Sequence, residues 1–73
     1  MDAHHLVKMA NQIGRFFEAE PDQAQAQLDI AAHLKRFWDP RMRRSIVNYV
    51  ADGGEDLLPI VRDAIQGNQQ RLV

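Results

Sequence analysis

An all-α fold is predicted for this chain, as a small four-helix bundle with short connections and a single domain over residues 1–73. Apolar residues recur at the i, i+3, i+4, i+7 spacing of amphipathic helices, and no stretch alternates in the manner of a strand. Prolines stand where helices are expected to begin, and a Gly-Gly pair stands where one is expected to end. Short connections between such helices favour a compact bundle.

The first helix is predicted from Asp2 to about Ala19, with an unusually broad apolar face. The face extends round about half of the helix once Val7 and Gly14 are included. Glycine inside a helix costs about 1 kcal/mol relative to alanine, so either another part of the chain approaches Gly14 closely or the fold tolerates it. The face consists of Leu6, Met9, Ala10, Ile13, Phe16 and Phe17.

The positions of two prolines predict where the next two helices begin. Pro21 interrupts the first pattern, because the residue before a proline avoids helical geometry, and the second helix then runs to about Trp38. Asp39 is predicted as the N-cap of a third helix with Pro40 at its first position, ending at about Ala51.

The remaining chain is predicted to form a fourth helix and a tail. Asp52-Gly53-Gly54 stops the third helix, because glycine adopts the left-handed cap conformation freely. Asp56 is predicted as the N-cap of the fourth helix, with Pro59 in its first turn and Gly67-Asn68 at its end. Residues 69–73 are predicted to be a flexible tail unless Leu72 docks.

These helix phases predict a core that slightly exceeds what one small domain usually buries. A partner surface, either a second copy or another protein, would cover the excess, and we expect the isolated chain to self-associate. The residues predicted in or near the core are Ile13, Phe16, Leu34, Phe37, Ile46, Tyr49, Val50, Leu57 and Val61.

Composition narrows the function classes. The chain contains no cysteine, which excludes disulfides and thiolate metal sites, and its net charge is −1, which attracts neither nucleic acid nor a membrane surface globally. No secretion leader and no apolar run long enough to span a membrane is recognisable, so a cytoplasmic protein is expected.

No catalytic, cofactor-binding or metal-binding residues are predicted in this chain. His4 and His5 are adjacent and so point about 100° apart on a helix, and His33 lacks nearby ligands. Ser45 has no nearby histidine, and Gly53-Gly54 follows a helix instead of the strand that precedes a dinucleotide loop.

A basic cluster beside the only tryptophan is the strongest functional signal. Five of the nine Lys and Arg residues lie between Lys35 and Arg44. Three interpretations remain: a solvated arginine face, a small helix-turn-helix-like nucleic-acid-binding module, or a protein interface. The protein interface is favoured over nucleic acid, because Trp and Arg are enriched at binding hot spots. Its candidate residues are Arg36, Trp38, Arg41, Arg43 and Arg44.

Several strings of the sequence, spread from about Leu6 to Ala64, resemble a known family. The most specific is Phe-Trp-Asp-Pro-Arg-Met-Arg at residues 37–43, and Met-Ala-Asn-Gln-Ile, Ile-Ala-Ala-His-Leu and Gly-Gly accompany it. The chain resembles the delta subunit of NAD-dependent formate dehydrogenases that contain molybdenum or tungsten.

This resemblance implies a non-catalytic accessory subunit that supports assembly, cofactor insertion or stability of a large cytoplasmic complex. It implies that the partner is the large (alpha) subunit and its complex. Bis-molybdopterin guanine dinucleotide, iron–sulfur clusters, flavin and NAD are then expected on other subunits, with none held by this chain.

Overall fold

The computed structural model describes residues 2–73, which are helical over most of their length and contain no strand. The all-α prediction is therefore confirmed. Four longer helices form the bundle, and a one-turn helix near the C-terminus packs against it. Their bounds are Ala3–Phe17 for α1, Gln23–Phe37 for α2, Pro40–Ala51 for α3, Pro59–Gly67 for α4 and Gln69–Leu72 for α5.

Aspartate side chains begin the first three helices. Asp2, Asp22 and Asp39 each have extended backbone geometry, and a carboxylate oxygen of each accepts a hydrogen bond from an amide of the first turn. At the predicted joint between α2 and α3, Asp39 Oδ1 accepts from the Met42 N–H at 2.9 Å. The capping of α3 by Asp39, with Pro40 at its first position, is confirmed.

The end of α3 also agrees with the sequence. Gly53 and Gly54 have φ angles of 122° and 63°, and the Gly54 N–H donates to the Tyr49 carbonyl at 3.0 Å. This closes the helix with the left-handed cap that glycine favours.

The predicted start of α4 was wrong. Asp56 is not an N-cap: its φ is 68°, and the helix begins three residues later at Pro59. Asn11 of α1 supplies the missing polar contacts across the fold. Its Nδ2 donates to the Asp56 carbonyl at 2.9 Å, and its Oδ1 accepts from the Leu58 N–H at 2.9 Å. A long-range side chain therefore fixes this turn, and local capping rules do not apply.

The core lies between α1, α2, α3 and α4, with α5 closing one end. A Cβ atom at Gly14 would overlap Cγ2 of Val61, so this glycine allows α4 to approach α1 and is more than a tolerated position. The buried cluster is Leu6, Val7, Ala10, Ile30, Leu34, Trp38, Ile46, Val47, Val50, Leu57, Val61, Ala64, Ile65 and Leu72.

The C-terminal residues are ordered by Leu72, which is completely buried. Arg43 reinforces this contact, because its Nε donates to the Leu72 carbonyl at 3.1 Å. Its Nη1 donates to the carbonyls of Lys35 and Trp38 at 2.9 and 2.8 Å. The sequence predicted a flexible tail unless Leu72 docks. Leu72 does dock, and residues 69–72 form α5.

Two predicted core residues lie on the surface: Phe16 is 78% exposed and Phe37 is 65% exposed. The reason at Phe37 is that α2 ends there, and the extended backbone of Trp38 turns the indole inward. Trp38 is only 5% exposed. On α1, the buried side is centred on the Leu6, Ala10 and Gly14 edge, which leaves Phe16 outside. The other predicted core residues are buried or packed against the core.

Candidate protein-binding surface

An open apolar groove of about 510 Å³ lies where α1, α2 and α3 meet. Its lining contains no carboxylate, lysine or arginine. Trp38 contributes to the lining, and Phe16 and Phe37 are the most exposed apolar side chains of the groove. We call this the aromatic groove; its lining residues are Met9, Gln12, Ile13, Phe16, Phe17, His33, Phe37, Trp38 and Met42.

Four rings form a continuous series across the groove, from α1 to α2. The Phe16 and Phe17 centroids are 5.0 Å apart in an edge-on arrangement, and Phe17 lies 6.3 Å from His33. The His33 ring then lies 4.7 Å from Phe37. These separations fall in the range of favourable aromatic pairs. The rings therefore support one another and hold the two exposed phenylalanines in place.

The groove exists because only part of the broad apolar face of α1 is buried in the core. The Leu6, Ala10 and Gly14 edge packs into the core, while Met9 and Ile13 are only partly buried and line the groove. A single helix thus contributes to both the core and the outer surface. The surplus of apolar residues inferred from the sequence is located here.

The five predicted interface residues are brought together only in part. Arg41 and Arg44 are exposed on α3, outside the lining of the groove. Arg43 is half-buried and its guanidinium is engaged with three backbone carbonyls, so its role is to hold α2, α3 and α5 together. Trp38 is buried at 5% exposure and belongs to the lining of the groove.

Arg36 is the predicted interface residue whose charge lies beside the groove. Its Cζ lies 5.4 Å from the centroid of the Phe37 ring, a cation–π distance. An exposed contact of this kind contributes about 0.5–1 kcal/mol. Arg36 thus places a positive charge directly beside the apolar lining.

Sequence reasoning missed Phe16, Phe37 and His33 as surface residues of one site. The sequence did contain a signal, because Phe16-Phe17 and Phe37-Trp38 are adjacent bulky pairs. Adjacent residues on a helix point about 100° apart, so both members of a pair cannot face the same core. His33 lies four residues before Phe37 and so shares its side of α2. Considering His33 only as a possible metal ligand overlooked that spacing.

The arrangement suits apolar recognition. Exposed aromatic rings in a preformed concave surface provide anchors for a binding partner. Among residues 2–73, no three His, Cys, Asp or Glu side chains are grouped to hold a metal ion. In the same part of the chain, none of the helices has the length and apolarity to cross a membrane.

The fold and the groove define a small all-helical domain with an exposed aromatic surface. A family model described as NADH-dependent formate dehydrogenase delta subunit FdsD matches residues 5–65, and the chain belongs to this family. The match spans most of α1, all of α2 and α3, and most of α4. Comparisons with curated proteins and with solved structures gave no match.

Proposed function

We propose that this chain is a non-catalytic accessory subunit of a cytoplasmic NAD-dependent formate dehydrogenase, and that it binds the large (alpha) subunit through the aromatic groove. Binding supports assembly, cofactor insertion or stability of the complex. Bis-molybdopterin guanine dinucleotide, iron–sulfur clusters, flavin and NAD are held by other subunits in this proposal.

The observation that carries the proposal is the exposure of Phe16 and Phe37 at a preformed groove in a delta-subunit family member. A large aromatic side chain left in water forgoes roughly 1.5–3 kcal/mol of burial free energy. Two such side chains at one concave site are therefore a favourable place for another protein to bind. Because the chain belongs to a formate dehydrogenase delta subunit family, the binding partner is expected to be another subunit of that enzyme.

Arg41 and Arg44 retain a place in this proposal as peripheral contacts. Both side chains are exposed, so they are free to meet carboxylates or carbonyls of the large subunit. Charged contacts at the rim of an interface mainly affect association rate and specificity. The groove, with its apolar lining, supplies most of the affinity.

The test compares the formate dehydrogenase complex produced with and without this chain. We expect loss of the chain to lower subunit assembly, molybdenum or tungsten content, or activity that survives mild heating, and added chain to restore it. The purified chain alone should oxidise no formate. A complex that keeps its full subunit composition, metal content, activity and heat resistance without the chain would contradict the proposal.

Self-association remains a prediction for the isolated chain. Without its partner, the aromatic groove leaves apolar side chains in water, so copies should associate as the concentration rises. Light scattering of the full chain over a wide concentration range measures this. A strict monomer at the highest concentration would count against the idea of surplus apolar surface.

A further inference from the structure

A second cleft, positively charged, lies next to the aromatic groove. It is formed between α2 and α5, has a volume of about 420 Å³ and contains three cationic side chains. Lys35, Arg36 and Arg71 are all exposed. We call it the basic cleft; its lining residues are Ala31, Ala32, Lys35, Arg36, Gln70 and Arg71.

The basic cleft is held in shape by hydrogen bonds of Arg43 and by the buried side chain of Leu72. Arg43 donates from Nη1 to the Lys35 carbonyl and from Nε to the Leu72 carbonyl, which joins the end of α2 to α5. Leu72 is fully buried, so the backbone of the neighbouring Arg71 is held in α5 and does not belong to a free tail. A ligand therefore finds the three charges already assembled.

No carboxylate lines the basic cleft. Like charges collected in one place raise the local positive potential and favour an anionic ligand. Asp29 is the acid on the neighbouring surface, where it lies with Arg36 and Phe37, and it accepts a hydrogen bond from Gln25 Nε2 at 2.9 Å. The cleft itself thus has three cations to offer to carboxylates from outside the chain.

Arg36 connects the two sites. It lines the basic cleft, and its guanidinium also lies over the Phe37 ring at the aromatic groove. A third concave patch, whose lining includes Arg36, Phe37 and Asp29, joins the apolar groove to the cationic cleft. A ligand that covers both must be apolar over part of its length and acidic at one end.

A second copy of the chain that binds through its own aromatic groove does not provide an apolar segment with an acidic end. The lining of the aromatic groove contains no Asp or Glu, so a copy presented through its groove brings no carboxylate from that lining to Lys35 or Arg71. A segment of another protein that carries both apolar and acidic residues fits the groove and the cleft together.

Resting on the proposed function, we infer that the aromatic groove and the basic cleft together bind one segment of a formate dehydrogenase subunit. The apolar side chains of that segment fill the groove, and carboxylates at one end bind Lys35, Arg36 and Arg71. The cleft fixes the direction in which the segment lies, because only one end carries the acidic residues.

The test measures binding of the full chain to formate dehydrogenase purified without it, at roughly 50 mM and roughly 500 mM salt. We expect Lys35→Glu with Arg71→Glu to weaken binding at least about tenfold at low salt and about threefold or less at high salt, because salt screens exposed charges. Lys8→Glu with Arg15→Glu is the matched control, since it makes the same charge change on a different helix, α1, and should bind normally.

The outcomes separate this inference from the proposed function. If the cleft pair binds as wild type while Phe16→Ser with Phe37→Ser does not bind, the groove stands and the inference is overturned. It is also overturned if the loss is equal at both salt concentrations, or if charge reversal shifts only a monomer–dimer equilibrium. Should the glutamate pair unfold, Lys35→Gln with Arg71→Gln removes the charges without placing acids near the end of α2, and the same outcomes apply.

Discussion

Replacing Phe16 and Phe37 by serine together should weaken binding to the formate dehydrogenase complex by at least about 100-fold. Both rings are largely exposed in the free chain, so their removal takes away anchors for the partner and little core packing. The double variant should remain helical and should melt close to wild type. Co-purification of tagged chain with the complex, together with circular dichroism of the isolated variant, measures both expectations.

Leu28→Ser provides the matched control for this variant. Leu28 is the other exposed large apolar residue of α2, at 38% exposure, and it does not line the groove. Its replacement should leave binding unchanged. If the Phe16 and Phe37 double variant binds as well as Leu28→Ser does, the aromatic groove is not the binding surface.

The second large effect concerns stability and contrasts two residues on α2. Leu34 is completely buried, and Leu34→Ala should cost about 2–5 kcal/mol. A domain of this size has a total stability of roughly 4–11 kcal/mol, so Tm should fall by at least roughly 10 °C. Phe37→Ala removes an exposed ring, and its Tm should stay within roughly 5 °C of wild type.

Thermal unfolding of the two variants under one buffer condition decides this comparison. The core predicted from the sequence included both Leu34 and Phe37, and it therefore implied that Phe37→Ala is strongly destabilising. A Phe37→Ala protein that loses as much stability as Leu34→Ala would contradict the exposed position of Phe37. Equal and small losses for both variants would instead contradict the burial of Leu34.

Local signals were sufficient for most of the fold. Apolar periodicity identified the helices, and the caps at Asp39 and Gly53-Gly54 placed both ends of α3, because each depends on residues close in sequence. The start of α4 was wrong because Asn11, far away in sequence, fixes the turn before Pro59. Long-range side-chain contacts of this kind leave no local pattern.

The sequence predicted that apolar surface would be left over outside the core, but it did not predict where on the fold that surface lies. The breadth of α1 indicated apolar surface beyond the core, but adjacent bulky pairs left open which member faces outward. At residues 37 and 38 the choice was decided by the extended backbone of Trp38, which follows from the exit of the chain into α3. The basic cluster was divided by the fold as well: Arg43 holds backbone carbonyls, while Arg36 stands at the groove.

The central claim is that the aromatic groove is the surface that binds the formate dehydrogenase complex. The most direct measurement is site-specific photo-crosslinking in the assembled complex, with a photoreactive phenylalanine analogue at position 16 or 37 and at position 28 as control. We predict crosslinks from positions 16 and 37 to the large subunit, and none from position 28. Crosslinks to the large subunit from position 28 alone would contradict the claim.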